Sequence, residues 1–183
     1  FDHQAQSVDG WRRFRDSKNH LEKRINKEVK VIRIGHSLGC KLHLLAPDFG
    51  RNCSSFISIS FNNFKASKSI PMLKNISSLL KVKTEFSPSP IETLNIINRE
   101  YIQPKNLILK FNNDDIDQSS SLLNCLSERE NDYSKLILLN GTHTTPISAG
   151  LRKTIINNDS LSKVSYENIS KLIETILDWI NSI

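Results

Sequence analysis

Cysteine is scarce in this chain of 183 residues: Cys40, Cys53 and Cys125 show no C-x-x-C spacing and cannot all pair with one another. They read as free thiols in a reducing compartment, which excludes both a disulfide framework and a cysteine zinc site. Long apolar runs are also missing. None approaches the roughly 18 residues that a membrane span needs. The polar start Phe1-Asp2-His3-Gln4 lacks the charged-then-apolar layout of a signal peptide. The expectation is a soluble, intracellular protein without stable membrane insertion. Apolar residues make up 38% of the chain, below the usual range, so the core should be modest. There are no internal repeats, and the length suits one domain.

Charge is present but uninformative. The formal net charge is +6, which can signal nucleic acid or an anionic surface. The lysines are scattered, however, and no aromatic-basic interleaving marks a nucleic-acid partner. The one dense basic stretch, Arg12, Arg13 and Arg15 with Lys18, Lys23 and Arg24, accompanies Trp11, Phe14, Leu21 and Ile25 at helical spacing. It reads as the solvated face of a core-packed helix.

Helix and strand alternate along the chain. A helix is expected over 9–27 and a β-branched strand over 29–34. A helix from Leu38 to Leu45 stops near Pro47, and a strand covers 55–61. Residues 62–101 form the longest strandless stretch, expected to be a helical lid. Near its end Ser89, Pro90 and Glu92 spell an N-cap, a first-turn proline and a capping box. Two short apolar strands follow, 107–111 and 136–139, of the kind covered by helices on both faces. A C-terminal helix carries Ile169, Leu172, Ile173, Ile176, Leu177 and Ile180 as a core stripe. This order implies a doubly wound, mostly parallel α/β fold, with ligands at the carboxyl ends of the strands.

The chemistry is therefore sought just after each strand. The first is followed by Gly35-His36-Ser37-Leu38-Gly39, the G-x-S-x-G nucleophile elbow between strand and helix. The glycines two before and two after Ser37 allow the tight turn. The turn lifts Ser37 Oγ clear and aims the Leu38 N–H at a developing oxyanion. On its own the pentapeptide could be an ordinary glycine-flanked turn, but the strand before it and the helix after it supply the context. A serine nucleophile needs a base, and the base an orienting acid, in the chain order Ser, Asp or Glu, His. After the strand at 107–111 come Asp114, Asp115 and Asp117; after that at 136–139 comes His143. Asp115 is the expected acid, because a small residue and two others precede it from Asn112. Asp114 is the close alternative and Asp117 a distant third, and all three also suit turns and helix caps. A calcium loop is excluded, since its glycine and closing glutamate are missing. His36 reads as packing beside the nucleophile and His43 as a helix residue that faces the surface or a neighbour. His3 and His20 have no identifiable partner.

Eight segments, FDHQAQ, WRRF, GHSLGCKLHLL, ISFNNF, SIPML, EFSPSP, FNNDDIDQ and GTHTTP, resemble the DUF1350 family of α/β-hydrolase-like proteins of cyanobacteria and chloroplasts. The resemblance implies the α/β-hydrolase fold and a cytoplasmic or plastid location. Family members carry further strands and a glycine-rich loop upstream, which would give a second oxyanion N–H. Only 36 residues precede Ser37 here, so the chain is expected to be N-terminally truncated. Losing one oxyanion donor costs roughly 10²–10³ in turnover. The leading expectation is hydrolysis of an ester or thioester, a small-molecule acyl substrate, with no cofactor and no metal. The catalytic residues would be Ser37, Asp115 and His143. Phe61, Asn62, Phe64, Ile70 and Met72 are candidate acyl contacts, though such side chains serve equally as packing. The alternative is an inactive hydrolase-like scaffold that binds a small ligand or protein partner.

Overall fold

The computed structural model describes residues 3–25, 29–64, 87–147 and 159–183. Its elements are α1 (His3–Ile25), β1 (Ile32–His36), α2 (Leu38–Leu44), β2 (Ser55–Ile59), α3 (Pro90–Glu100), β3 (Asn106–Asn113), α4 (Ser119–Ser127), β4 (Lys135–Thr142) and α5 (Asp159–Asn181). The four strands form one sheet in the order β1-β2-β3-β4, and every neighbouring pair is parallel. Parallel neighbours require crossovers, and the helices between the strands supply them.

Strand alternation divides the core in two. Phe56 of β2 and Ile108 of β3 face α2, α3 and α4, and pack with Cys40, Leu44, Leu45, Ile97, Leu122 and Leu126. Ile57, Ile59, Leu107, Leu109 and Phe111 face the other way, against Leu172, Ile176, Trp179 and Ile180 of α5. Each fully buried side chain among these contributes about 1.5–3 kcal/mol, whereas Ile176, Trp179 and Ile180 are only partly buried. The C-terminal stripe is therefore narrower than the sequence pattern suggests. Ile173 and Leu177 are about half exposed, at 51% and 52%. Trp179, absent from the expected stripe, reaches the core and donates its indole N–H to Ser55 Oγ at 2.8 Å.

Helix α3 begins as its sequence requires. Ser89 Oγ accepts from the Glu92 N–H, and the Glu92 carboxylate accepts from the Ser89 N–H. Its Ile97 is fully buried in the core, so this end of the 62–101 stretch belongs to the layer beneath the sheet. Ile70, Met72 and the rest of 65–86 lie outside the described residues. A second anchor joins β1 to the turn after α2. Arg33 donates two hydrogen bonds to Asp48, at 2.8 and 2.6 Å, and stacks on Trp11 of α1 at 4.8 Å. Burial would raise the Asp48 carboxyl, but the Arg33 hydrogen bonds and charge outweigh it and hold it below the ordinary carboxylate range.

Candidate active site

Three residues meet above the carboxyl ends of the strands, one each from β1, β3 and β4. Ser37 sits between β1 and α2 with φ 56 and ψ −124, a region costing a non-glycine residue roughly 1–3 kcal/mol. Surrounding bonds hold it there: its N–H donates to Ile59 O at 3.0 Å, and its carbonyl accepts from the Cys40 N–H at 3.1 Å. The two elbow glycines are not equivalent. A Cβ at Gly35 would stand 2.7 Å from Cys40 Cα, whereas one at Gly39 would meet nothing within 4 Å. The turn therefore demands a bare Gly35 but leaves room at Gly39. Cys40 fills the gap with a buried thiol that desolvation pushes up to about 12, so it packs as a neutral group. Leu38 is the first residue of α2, and its N–H has no partner within the helix. That N–H is available to a negative oxygen forming on a group attacked by Ser37.

His143 follows β4. Its Nε2 lies 2.8 Å from Ser37 Oγ, and its Nδ1 lies 2.8 Å from Asp114 Oδ2. The carboxylate beside the imidazole is thus Asp114 and not the expected Asp115. The reason is strand length. β3 continues through Asn112 and Asn113, two residues past its apolar run, so Asp114 is the first residue beyond the strand. Asp114 Oδ1 accepts from the Ile116 N–H at 3.1 Å, an Asx turn that points Oδ2 at His143 and leaves Asp115 exposed. Asp117 serves helix α4, accepting from the Ser119 N–H at 2.9 Å and its hydroxyl at 2.7 Å. Burial raises the Asp117 carboxyl despite those bonds.

Residues that the sequence did not single out hold the His143 loop. Asn112 Oδ1 accepts from the Gly141 N–H at 3.1 Å, and Asn112 Nδ2 donates to Asn140 Oδ1 at 3.0 Å. Thr145 Oγ1 accepts from the Thr142 N–H at 2.8 Å. A Cβ at Gly141, whose φ is +143, would lie 2.5 Å from that same oxygen. Asparagine at a strand end looks in sequence like any turn residue, so only the pairing of β3 with β4 reveals its use.

The proposed acyl contacts separate. Phe61 is fully buried in the core, a packing residue and not a surface for substrate. Asn62 is 2% exposed, and its Oδ1 accepts from the Phe64 N–H. Phe64 is half-buried. His43, half-buried, meets a neighbour: it packs against the Phe56 ring at 5.7 Å. His20 is exposed. Among the described residues no three His, Cys, Asp or Glu side chains are grouped to hold a metal, and no helix is long and apolar enough to cross a membrane.

A family model described as "Protein of unknown function (DUF1350)" matches residues 1–182. The chain belongs to the DUF1350 family. No curated protein matches it by sequence. Its fold is similar to that of the α/β hydrolase GrgF from Penicillium sp. sh18, with a TM-score of 0.54 at 14% identity, over 100% of this chain and 72% of that one. A highly thermostable carboxyl esterase from Bacillus coagulans is similar with a TM-score of 0.53 at 13% identity, over 94% of this chain and 71% of that one. At such identities the likeness establishes the α/β-hydrolase fold alone.

Proposed function

We propose that this DUF1350 protein is a serine hydrolase that cleaves an ester or thioester through an acyl-enzyme on Ser37. The observation that supports this reading is the run of contacts from Ser37 Oγ through His143 to Asp114, both 2.8 Å long. In this reading the Ser37 hydroxyl donates to Nε2, and Nδ1–H donates to a carboxylate that fixes the tautomer.

The reaction follows from those three groups. Ser37 Oγ attacks the carbonyl carbon while its proton passes to His143 Nε2. The carbonyl oxygen becomes an anion facing the Leu38 N–H. Asp114 stays ionised and stabilises the imidazolium. Collapse of the adduct breaks the bond to the leaving alcohol or thiol, which takes the proton from Nε2 and departs. Water then repeats the sequence: His143 removes its proton, its oxygen attacks the acyl carbon, and Ser37 regains a hydrogen as the carboxylic acid leaves. The carboxyl esterase among the fold neighbours makes carboxylic esters the first substrates to try.

The test is intact-protein mass spectrometry after mixing with p-nitrophenyl acetate, p-nitrophenyl butyrate or an acyl-coenzyme A thioester. The expected result is a transient gain of one acyl group, located on the Ser37 peptide and absent from Ser37→Ala. A folded protein that gains no acyl group and releases no product above the buffer rate with any of the three sinks the reading.

A further inference from the structure

The base and the nucleophile come from opposite edges of the sheet. Ser37 follows β1, and His143 follows β4, with β2 and β3 between them. Three strand spacings of roughly 4.8 Å separate the two strands, yet His143, the first residue past β4, brings its imidazole to Ser37. Asp114 and Ser37 restrain its ring. Neither restrains the main chain that carries the ring.

Asn112 and Thr145 hold the main chain just before His143, and His36 adds a restraint at His143 itself. His36 is the last residue of β1, immediately before Ser37, and its Nε2 lies 2.8 Å from the carbonyl oxygen of His143. Gly35 faces α2, so His36, next along the strand, projects to the opposite face. There its ring meets that of His143, with centroids 5.0 Å apart and a tilt of 39°. We propose that His36 is a positioning residue for His143, donating Nε2–H to the His143 carbonyl and so fixing the base's main chain relative to Ser37. This rests on reading His143 as the base.

A carbonyl oxygen only accepts, so the hydrogen must sit on Nε2 of His36. Burial lowers the basicity of the ring against the pull of that bond, which favours a neutral imidazole that donates from Nε2 alone. One strand end thus gauges both partners of the proton transfer: residue 37 carries the nucleophile and residue 36 holds the loop of its base. The adjacency makes geometric sense of a histidine beside the serine, which on the sequence reads only as packing.

The substitution pair His36→Gln and His36→Asn tests it. The glutamine amide nitrogen takes the place of Nε2 and reaches the carbonyl, while the asparagine nitrogen takes the place of Nδ1 and falls short. Both are polar and of similar bulk, which guards against loss of folding as an explanation. The expected result is that His36→Asn lowers kcat for ester hydrolysis by roughly tenfold to a hundredfold with KM little changed, and that His36→Gln retains most of kcat. In parallel, the low-field proton resonance of His143 Nδ1–H is expected in the wild type and in His36→Gln, and shifted or broadened in His36→Asn. If kcat and the resonance are the same in His36→Asn as in the wild type, the inference is overturned. If the wild type has no esterase activity, the hydrolase reading fails by itself, and the resonance still decides whether His36 orders His143.

Discussion

A carboxylate at Nδ1 of a catalytic histidine has two tasks, to fix the tautomer and to stabilise the imidazolium that forms when the serine gives up its proton. Asp114 is placed for both, at 2.8 Å from His143, and Asp115, one residue on, faces solvent. Asp114→Asn should therefore lower kcat by roughly 10³–10⁴-fold, and Asp115→Asn should leave it within a few-fold, both read from initial rates on p-nitrophenyl butyrate. Equal losses in the two variants would remove the distinction. A second residue-scale expectation concerns Lys41, one turn along α2 from Ser37. Its side chain is fully buried and its Nζ donates to Pro88 O at 3.0 Å. Burial lowers its ammonium to about 8, against a smaller opposing effect of Glu92. Between that value and the ordinary 10.5 the unfolded chain binds a proton that the folded chain has released. Unfolding free energy therefore rises with pH across this window, by at most about 1.4 kcal/mol per unit. Denaturant titrations at pH 8 and pH 10 should show the rise in the wild type relative to Lys41→Met, and parallel curves would contradict it.

The elbow is the element on which the site depends. Its crowding is one-sided, with Gly35 against the Cys40 backbone and Gly39 in open space. Gly35→Ala pushes α2 away from β1, because backbone cannot yield as a side chain can. Loss of folded protein or of ester hydrolysis is expected there, while Gly39→Ala should retain both, as judged by circular dichroism and turnover. The elbow was legible in the sequence because spacing encodes it. So were the four strands, the capping box at Ser89, and the residues Ser37 and His143 that the fold brings together. Asp114 and not Asp115 meets His143 because β3 runs on through Asn112 and Asn113, residues with weak strand propensity that continue the pairing with β4 across a register shift. Similarly, β1 lies at 32–36 where 29–34 was expected, since the strand must continue to His36 to feed the turn at Ser37. Phe61, an aromatic just past a strand end, suits a pocket wall or a core equally well. The packing of α3 and α4 over β2 decides for the core, and no local pattern carries that information.

At the scale of the whole molecule, the sheet gathers residues more than 100 positions apart. Helices on both faces hold the four strands in register, the Arg33–Asp48 pair ties β1 to the turn beyond α2, and Trp179 fastens α5 across the sheet to β2. The carboxyl edge of this frame carries Ser37, Asp114 and His143, each on the turn after a different strand and in the proposed roles of nucleophile, acid and base. Such an arrangement activates a serine only if all three strand ends keep their relative places, so the reactivity of Ser37 reports on the entire frame. The most direct measurement is covalent labelling by a fluorophosphonate, which reacts with activated serines, on the wild type and on Ser37→Ala and His143→Ala. The account predicts a labelled wild type, no label in Ser37→Ala and labelling slowed by several orders of magnitude in His143→Ala. A folded wild type that resists the probe, or a Ser37→Ala variant labelled as fast as the wild type, would contradict it.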